Sequence, residues 1–413
     1  MRIGILTEYF PPEMGAPQAR LYELAIRLRQ RGHDLTIVTA MPNYPTGQIF
    51  DEYRGRLFVR EKLDGLPVIR TPIFPTKSSN LIVRLTSYMS FVTTSLMMAS
   101  WFVGKLDILI VESPPLFLGL SGIPMSRWTR SKLVFMVSDI WPDVAIRMGD
   151  IISDKQARIL EKLEGFIYRH CACVALTNPG AVEQVTQRFP LVPCGVISNG
   201  VDTSFFKPDL YSEDIRREFG IKSGQFAVGY CGLHGIFQGL EVVVRAAARL
   251  RDNPNIRFVM VGEGPTKQKL IAMVRQEGLN NITFFPHQPK RRMPAILASM
   301  DASLIPLAAS LPGTMPSKVY EALAAGVPIL VTAGCEAEQL IHRYDVGRLF
   351  PAGDDETLAR GIQELAADPA KRRAIRANAL RLAPRFDRGA IADRTDALLR
   401  AVAQNRPLPK VEW

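Results

Sequence analysis

The sequence is poor in the features that mark small or specialised proteins. Only 5 of its 413 residues are cysteine, and the one close pair, Cys171 and Cys173, is separated by a single alanine. That spacing builds neither a secreted disulfide framework nor a paired CxxC zinc site, and it predicts buried thiols in a reducing cytosol. His33, His170, His287 and His342 are scattered without metal-ligand spacing, so they read as structural or surface groups and no metal centre is expected. No GxGxxG follows the first apolar run; Gly4 lies inside it and only Gly15 reaches the loop beyond, which disfavours a nicotinamide oxidoreductase. Ahead of Thr7 and Glu8 only residues 3–6 are apolar, too few for a secretory h-region, so the chain is expected to start with a strand. No short-period repeat is present.

Long uncharged runs are also missing, with one exception. Residues 85–104 hold no charge over 20 positions and include Phe91, Leu96, Met97, Met98, Trp101 and Phe102. That length just reaches a bilayer's thickness, but seven Ser and Thr residues dilute its hydrophobicity. A buried domain helix, an interfacial helix and a true span are the three readings of this segment. Trp101 and Trp128 beside it read as core residues or as interfacial anchors.

What is present is ordinary globular composition, 47% apolar and 22% charged, on a chain long enough for two or three domains of about 150 residues. The charge balance, 51 basic against 40 acidic, leaves +11. Residues 371–406 carry ten basic and three acidic residues, which fits amphipathic helices with solvated arginine faces or contact with anionic headgroups or an acidic substrate. No helix-turn-helix, RRM or finger signature accompanies the charge, so nucleic acid is not an expected partner.

Short β-branched runs alternate with amphipathic stretches. Strands are expected at 3–6, 35–39, 108–111, 133–137 and 174–176, and again at 226–230, 258–261, 282–285, 303–307 and 329–331. Two doubly wound α/β halves are the simplest account, with Asn199-Gly200 and Pro208 marking a boundary near residue 200.

Chemistry is suggested at three places. The Pro-rich loop Glu8-Tyr-Phe-Pro-Pro-Glu-Met-Gly-Ala-Pro17 follows the first strand, where Gly15 lets backbone approach a phosphate and where Glu13 is an acceptor-binding candidate. In Val137-Ser-Asp-Ile-Trp-Pro-Asp143, Asp139 and Asp143 stand at the carboxyl edge of a strand; they read as acceptor-orienting or charge-stabilising groups, or as turn and helix-start carboxylates. The third place is Pro316-Ser-Lys-Val-Tyr-Glu-Ala-Leu-Ala-Ala-Gly-Val-Pro328, a helix expected from about Pro316 to Gly326. Ser317 is its expected capping hydroxyl. Lys318 in the first turn opposes the helix dipole, so it is better explained by a bound anion than by helix stability. Glu321, one turn on, suits the vicinal hydroxyls of a ribose. Lys290-Arg291-Arg292 faces a nucleotide base or water.

With PPEMG, RGHDLTIVT, ISNGVDTSFFKP, GEGP and PSKVYEALAAGVPI in order, nearly the whole chain resembles the retaining GT-B glycosyltransferases of family 4. Val137 to Asp143 and Gly232-Leu-His-Gly-Ile-Phe-Gln-Gly-Leu240 resemble the colanic-acid and O-antigen subgroup, fucosamine transferases among them. The resemblance implies two Rossmann-like domains facing a cleft: an acceptor domain over 1–200, a nucleotide-sugar domain over 201–385, and a C-terminal helix and tail over 386–413 that can pack back on the first. It implies transfer of a hexose or amino-hexose from a nucleotide sugar, UDP-linked by expectation, to a lipid-linked or oligosaccharide acceptor in surface polysaccharide synthesis. No metal or cofactor is implied. The location implied is cytoplasmic, peripheral at the inner leaflet of the membrane.

By the same resemblance Gly15 approaches the pyrophosphate, Gly262 and Gly264 shape the nucleotide pocket and Glu321 binds the ribose, while Ser138, beside Asp139, stands where many relatives have a His that contacts the donor sugar. Asp139, Lys318 and Glu321 are the expected catalytic set. Departures accompany these matches. The usual first carboxylate falls on Gly313, and the usual pyrophosphate Arg and Lys fall on Leu233 and Gln238. Lys318, with His234 and the helix N-terminus, is the expected replacement charge, because a departing nucleoside diphosphate needs cationic or N–H stabilisation. A nucleotide-sugar 2-epimerase is the alternative, although no acid–base set for it can be assigned.

Overall fold

The structure, a computed structural model, describes residues 1–78, 80–141, 143 and 153–411. The chain divides into two compact units, Met1–Asn199 with Ile391–Trp413, and Gly200–Ala390.

The first unit is built on an eight-stranded sheet of β1 (Arg2–Leu6), β2 (Asp34–Ala40), β3 (Val59–Leu63), β4 (Leu66–Thr71), β5 (Ile108–Ser113), β6 (Lys132–Val137), β7 (Cys173–Leu176) and β8 (Cys194–Val196), in the order β3-β4-β2-β1-β5-β6-β7-β8. Only the β3–β4 hairpin is antiparallel. Alternate residues of one strand feed different cores: Ile108 and Ile110 join one cluster, Leu109 and Val111 another. Burial on both faces is why these strands read as continuous apolar runs. The helix Arg388–Ala403 supplies Ala392, Leu398, Leu399 and Val402 to the first of those clusters, and its Asp396 holds the buried His33 ring at 2.7 Å.

The second unit carries β9 (Phe226–Cys231), β10 (Ile256–Val261), β11 (Ile282–Phe285), β12 (Ala302–Ile305), β13 (Ile329–Thr332) and β14 (Gly347–Phe350) in the order β11-β10-β9-β12-β13-β14, all parallel. Each sheet reverses its strand order once, at β1/β5 and at β9/β12. In such sheets ligands bind outside the carboxyl ends at that reversal.

All ten expected strands are present, β12 ending two residues earlier than read. The uncharged segment forms Leu81–Thr94, a π-helical turn Ser95–Ala99 and Ser100–Val103, capped by Asn80 and ended by Gly104 at φ +71°. It is buried on one side only. Phe91, Val92, Ala99 and Val103 enter the core, and no helix among the described residues is long and apolar enough to cross a membrane.

Much of the basic segment is spent within the fold. Arg372 donates to the carbonyls of Leu365 and Ala366 and lies over the Phe226 ring, Arg385 reaches the Tyr344 hydroxyl, Arg388 the Gly200 carbonyl, and Arg400 pairs with Asp396. The freely solvated arginine face expected there is therefore only partly realised.

Candidate active site

The two reversal points carry separate sets of polar side chains. At the first, Arg20 projects from the helix Ala16–Gln30 and forks across three neighbours: Nη2 donates to Glu112 at 2.6 Å and to the Ser138 hydroxyl at 2.7 Å, and Nη1 to Asn199 at 2.6 Å. Thr7, just beyond β1, donates to the other Glu112 oxygen. Burial raises the Glu112 carboxyl above its ordinary value, with Arg20 and Thr7 pulling it back. One guanidinium thus ties together residues at or beyond the ends of β5, β6 and β8, and Thr7 joins β1 to the same carboxylate. Asp139 follows immediately. It is accessible to solvent yet crowded by protein atoms, which raise its carboxyl, again against the pull of Arg20.

Glu8 is 2% exposed and its Oε2 has no hydrogen-bond partner among the described residues. Burial pushes its carboxyl from 4.5 to about 7, with Tyr9 lowering it and the nearby Glu13 and Glu112 adding to the rise. An acid raised in this way favours the fold while protonated. Its contribution is complete below about pH 4.5 and is lost as pH climbs through about 7, a swing on the order of 3 kcal/mol. Glu8→Gln is accordingly expected to melt several degrees higher than the parent at pH 8, with the difference closing towards pH 5. Thermal melts across that range check it, and equal melting at pH 8 would refute the assignment.

Two expected acceptor residues have other tasks. Both oxygens of Glu13 are taken by backbone N–H groups, from Asn43 and Tyr44 at 2.8 Å and from Phe10 at 3.2 Å. A buried carboxylate engaged in this way ties the loop after β1 to the loop after β2, and has little left for an acceptor. Asp143 accepts from Gln184 at 3.2 Å and pairs with Arg188 at 3.3 Å, which in turn holds the buried Glu164 at 2.6 Å. Asp143 therefore belongs to an internal ion-pair cluster. Gly15 stands at the N-cap of the helix Ala16–Gln30 in extended conformation; a Cβ there would lie 2.3 Å from the Gln18 side-chain oxygen.

At the second reversal, Lys318 opens the helix Lys318–Ala325, which ends as expected on Gly326 in the left-handed conformation. Its Nζ sits 5.6 Å from the centre of the Tyr230 ring. Gly232 makes this placement possible: at φ +155°, a Cβ there would stand 2.4 Å from Lys318 Cε and 2.7 Å from Nζ. Glu321 lies one turn later. Burial raises its carboxyl, while Lys318, Arg388 and Lys290 lower it. Among the described residues neither the Lys318 ammonium nor the Glu321 carboxylate has a hydrogen-bond or ion-pair partner, although both line one small cavity with Phe206, Cys231, Met293, Leu297 and Ser303.

Other expected donor residues shape this site from behind. Gly262 and Gly264 hold φ of +146° and +157°, and Cβ atoms there would stand 1.8 Å from the Gly232 carbonyl and 2.3 Å from that of His234. Only glycine lets the loop after β10 lie flat on the loop after β9. His234 is wholly buried, stacked 5.6 Å from the Tyr230 ring, with neither ring nitrogen partnered among the described residues. Burial, aided by Lys267, lowers its pKa to about 4. The ring is neutral at pH 7 and cannot be the expected second positive charge. Ser317 occupies the N-cap position, but its backbone is already helical and its hydroxyl caps nothing, which corrects the capping role. The Gln238 side chain folds back over Gly235. Gly313 donates its N–H to Glu336 at 3.1 Å, so the carboxylate nearest to that position is engaged in holding the loop. No cluster of three or more His, Cys, Asp or Glu able to hold a metal occurs among the described residues.

Arg20, Glu112 and Gly232 were not singled out from the sequence. The available signal was a charge closing an otherwise apolar parallel strand, as Glu112 does after residues 108–111.

Comparison with known proteins agrees with this layout. Residues 212–381 match the family described as Glycosyl transferases group 1, and residues 15–200 match the Glycosyl transferase 4-like domain. The colanic acid biosynthesis glycosyl transferase WcaI of Escherichia coli K12 is 27% identical over 354 residues, covering 82% of this chain and 84% of that protein. Among solved structures, sucrose-phosphate synthase from Thermosynechococcus elongatus is similar with a TM-score of 0.75 at 17% identity, over 98% of this chain and 99% of that one. Anabaena HepE in complex with UDP and glucose gives 0.71 at 19%, over 97% and 100%. At these identities the solved structures speak to the fold.

Proposed function

The chain belongs to the group 1 glycosyltransferases, α/β enzymes of the GT-B fold, and from that premise we propose that it moves a hexose or amino-hexose from a UDP-sugar to a lipid-linked or oligosaccharide acceptor, with retention, in surface polysaccharide assembly. The observation that carries this reading is the pair of unspent charges, Lys318 and Glu321, on one small cavity at the reversal point of the second sheet. A cation and a carboxylate one helical turn apart, each without a hydrogen-bond or ion-pair partner among the described residues, are complementary to a phosphate and to ribose hydroxyls. The similarity to WcaI supports a polysaccharide acceptor, while the UDP-linked donor is carried over from the family resemblance of the sequence.

In the reaction, the bond between the anomeric carbon and the phosphate oxygen breaks while the acceptor oxygen bonds the same carbon on the same face. The acceptor proton passes to the leaving phosphate. Lys318 stabilises the charge that develops there, a task that calls for no metal. Glu321 holds the ribose. Asp139, its proton affinity raised by crowding, orients the acceptor hydroxyl, and Arg20 positions Asp139 through Ser138 and Glu112. Glu13, Asp143 and His234 have no direct part in this scheme. Contact with the inner leaflet follows if the acceptor is lipid-linked.

A panel of UDP-, GDP- and dTDP-sugars, scored by thermal shift and then by the mass and anomeric configuration of the product, tests the proposal. The largest shift is expected from a UDP-sugar. Absence of a shift from every nucleotide sugar would overturn it.

A further inference from the structure

The outer side of the uncharged helical segment is an unbroken stripe of apolar and hydroxyl side chains. Ile82, Thr86, Met89, Thr93, Met97 and Trp101 are all exposed and recur at helical spacing, on the side away from the core residues Phe91, Val92 and Ala99. The two threonine hydroxyls are satisfied within the helix, Thr86 donating to the Ile82 carbonyl at 3.0 Å and Thr93 to that of Met89 at 2.8 Å. The stripe therefore makes no demand for water along its length. At its C-terminal end lies an exposed aromatic cluster. Trp101 (71% exposed) packs edge-on against Trp128 (58%) at 4.9 Å, and Phe102 packs against Phe58 at 4.6 Å.

Cations border the cluster. Arg60 lies 5.4 Å over the Phe102 ring, Lys105 follows the helix, and Arg127 and Arg130 flank Trp128, all exposed. Residues 82–105 and 119–132 contain no Asp or Glu.

We propose that this stripe and its Trp101–Trp128 end are a docking surface for an anionic phospholipid bilayer. Two neighbouring exposed tryptophans, a stripe with its hydroxyls turned inward, and a cationic border without carboxylates match the polarity profile of the headgroup–acyl boundary. The helix lies in the plane of the interface, because its other side is bound to the core. Each bordering Lys or Arg adds to the attraction of an anionic surface. The inference deepens the lipid-linked acceptor reading by locating the contact. It is measured without donor or acceptor, so it can fail while glycosyl transfer stands.

The test is co-sedimentation of the full chain with phosphatidylglycerol vesicles and with pure phosphatidylcholine vesicles. The parent is expected to bind the anionic vesicles at least about ten-fold more tightly than the neutral ones. Trp101→Ser/Trp128→Ser and Arg127→Glu/Arg130→Glu are each expected to lose about ten-fold or more, with melting temperature and nucleotide-sugar thermal shift unchanged. Phosphatidylglycerol with brominated acyl chains should quench tryptophan emission in the parent much more than in the double Trp variant. Undiminished anionic-vesicle binding by both variants would overturn the proposal. So would a concentration-dependent dimer that the Trp substitutions dissolve without any vesicle binding by the parent, which would assign the surface to a second copy.

Discussion

Replacing Lys318 by alanine is expected to lower kcat/KM for the nucleotide sugar by about 10²–10³-fold, most of it in kcat. The physical argument is differential. In the ground state the diphosphate already carries its charge and Lys318 assists binding. As the glycosidic bond stretches, further negative charge gathers on the phosphate oxygen, and a cation fixed beside it gains most there. The ammonium is free for this task because no carboxylate pairs with it among the described residues, and Gly232 leaves it room over the Tyr230 ring. A Glu321→Gln variant separates the two roles, since weakening a ribose contact should raise KM with little change in kcat. Steady-state kinetics over a donor titration decide the matter, and an unchanged kcat/KM in Lys318→Ala would remove this residue from the site.

The second large effect falls on stability. Arg20→Ala strips Glu112 of its guanidinium in a position where the carboxylate is only 4% exposed, and breaking such a buried pair costs about 3–5 kcal/mol. Arg20→Lys should rescue little, because one ammonium cannot fork to Glu112, Ser138 and Asn199 as the guanidinium does. Arg20→Ala/Glu112→Gln should recover a substantial part, since no orphaned charge remains. Denaturant melts of the single and double variants provide the measurement. A loss below about 0.5 kcal/mol for Arg20→Ala, the range of ordinary surface changes, would show that the network carries no such energy.

Legibility followed unbroken apolar runs. Nine of the ten anticipated strands are buried on both faces, and the edge strand β11, with only Ile282 buried, still reads as Ile-Thr-Phe-Phe. β4 is buried at five of its six residues but went unread because Pro67 and Arg70 interrupt its apolar run. β3 escaped because it is an edge strand, Val-Arg-Glu-Lys-Leu, with only Val59 buried, and the Asp64-Gly65 turn was its sole signal. β8 is only three residues long, and β14, Gly-Arg-Leu-Phe, is buried only at its two ends. In the second unit, Lys318 and Glu321 were legible because they share one helix, where sequence spacing fixes relative position. In the first unit, the Arg20–Glu112 pair joins residues 92 apart and shows no local pattern.

Order of elements, strand identity and the helix that presents Lys318 and Glu321 were written in local patterns of apolar spacing, a first-turn lysine and a terminal glycine. Which charges are available was decided only by the tertiary fold. Glu13 and Asp143 look like free carboxylates in the sequence and are consumed by backbone N–H groups and by Arg188; His234 looks like a cation and is buried neutral. The scarcity of long uncharged runs left one segment in doubt, and packing resolved it into a helix with a core face and an exposed face. The reason is the same throughout: spacing along the chain sets local geometry, whereas desolvation and pairing depend on residues that only folding brings near.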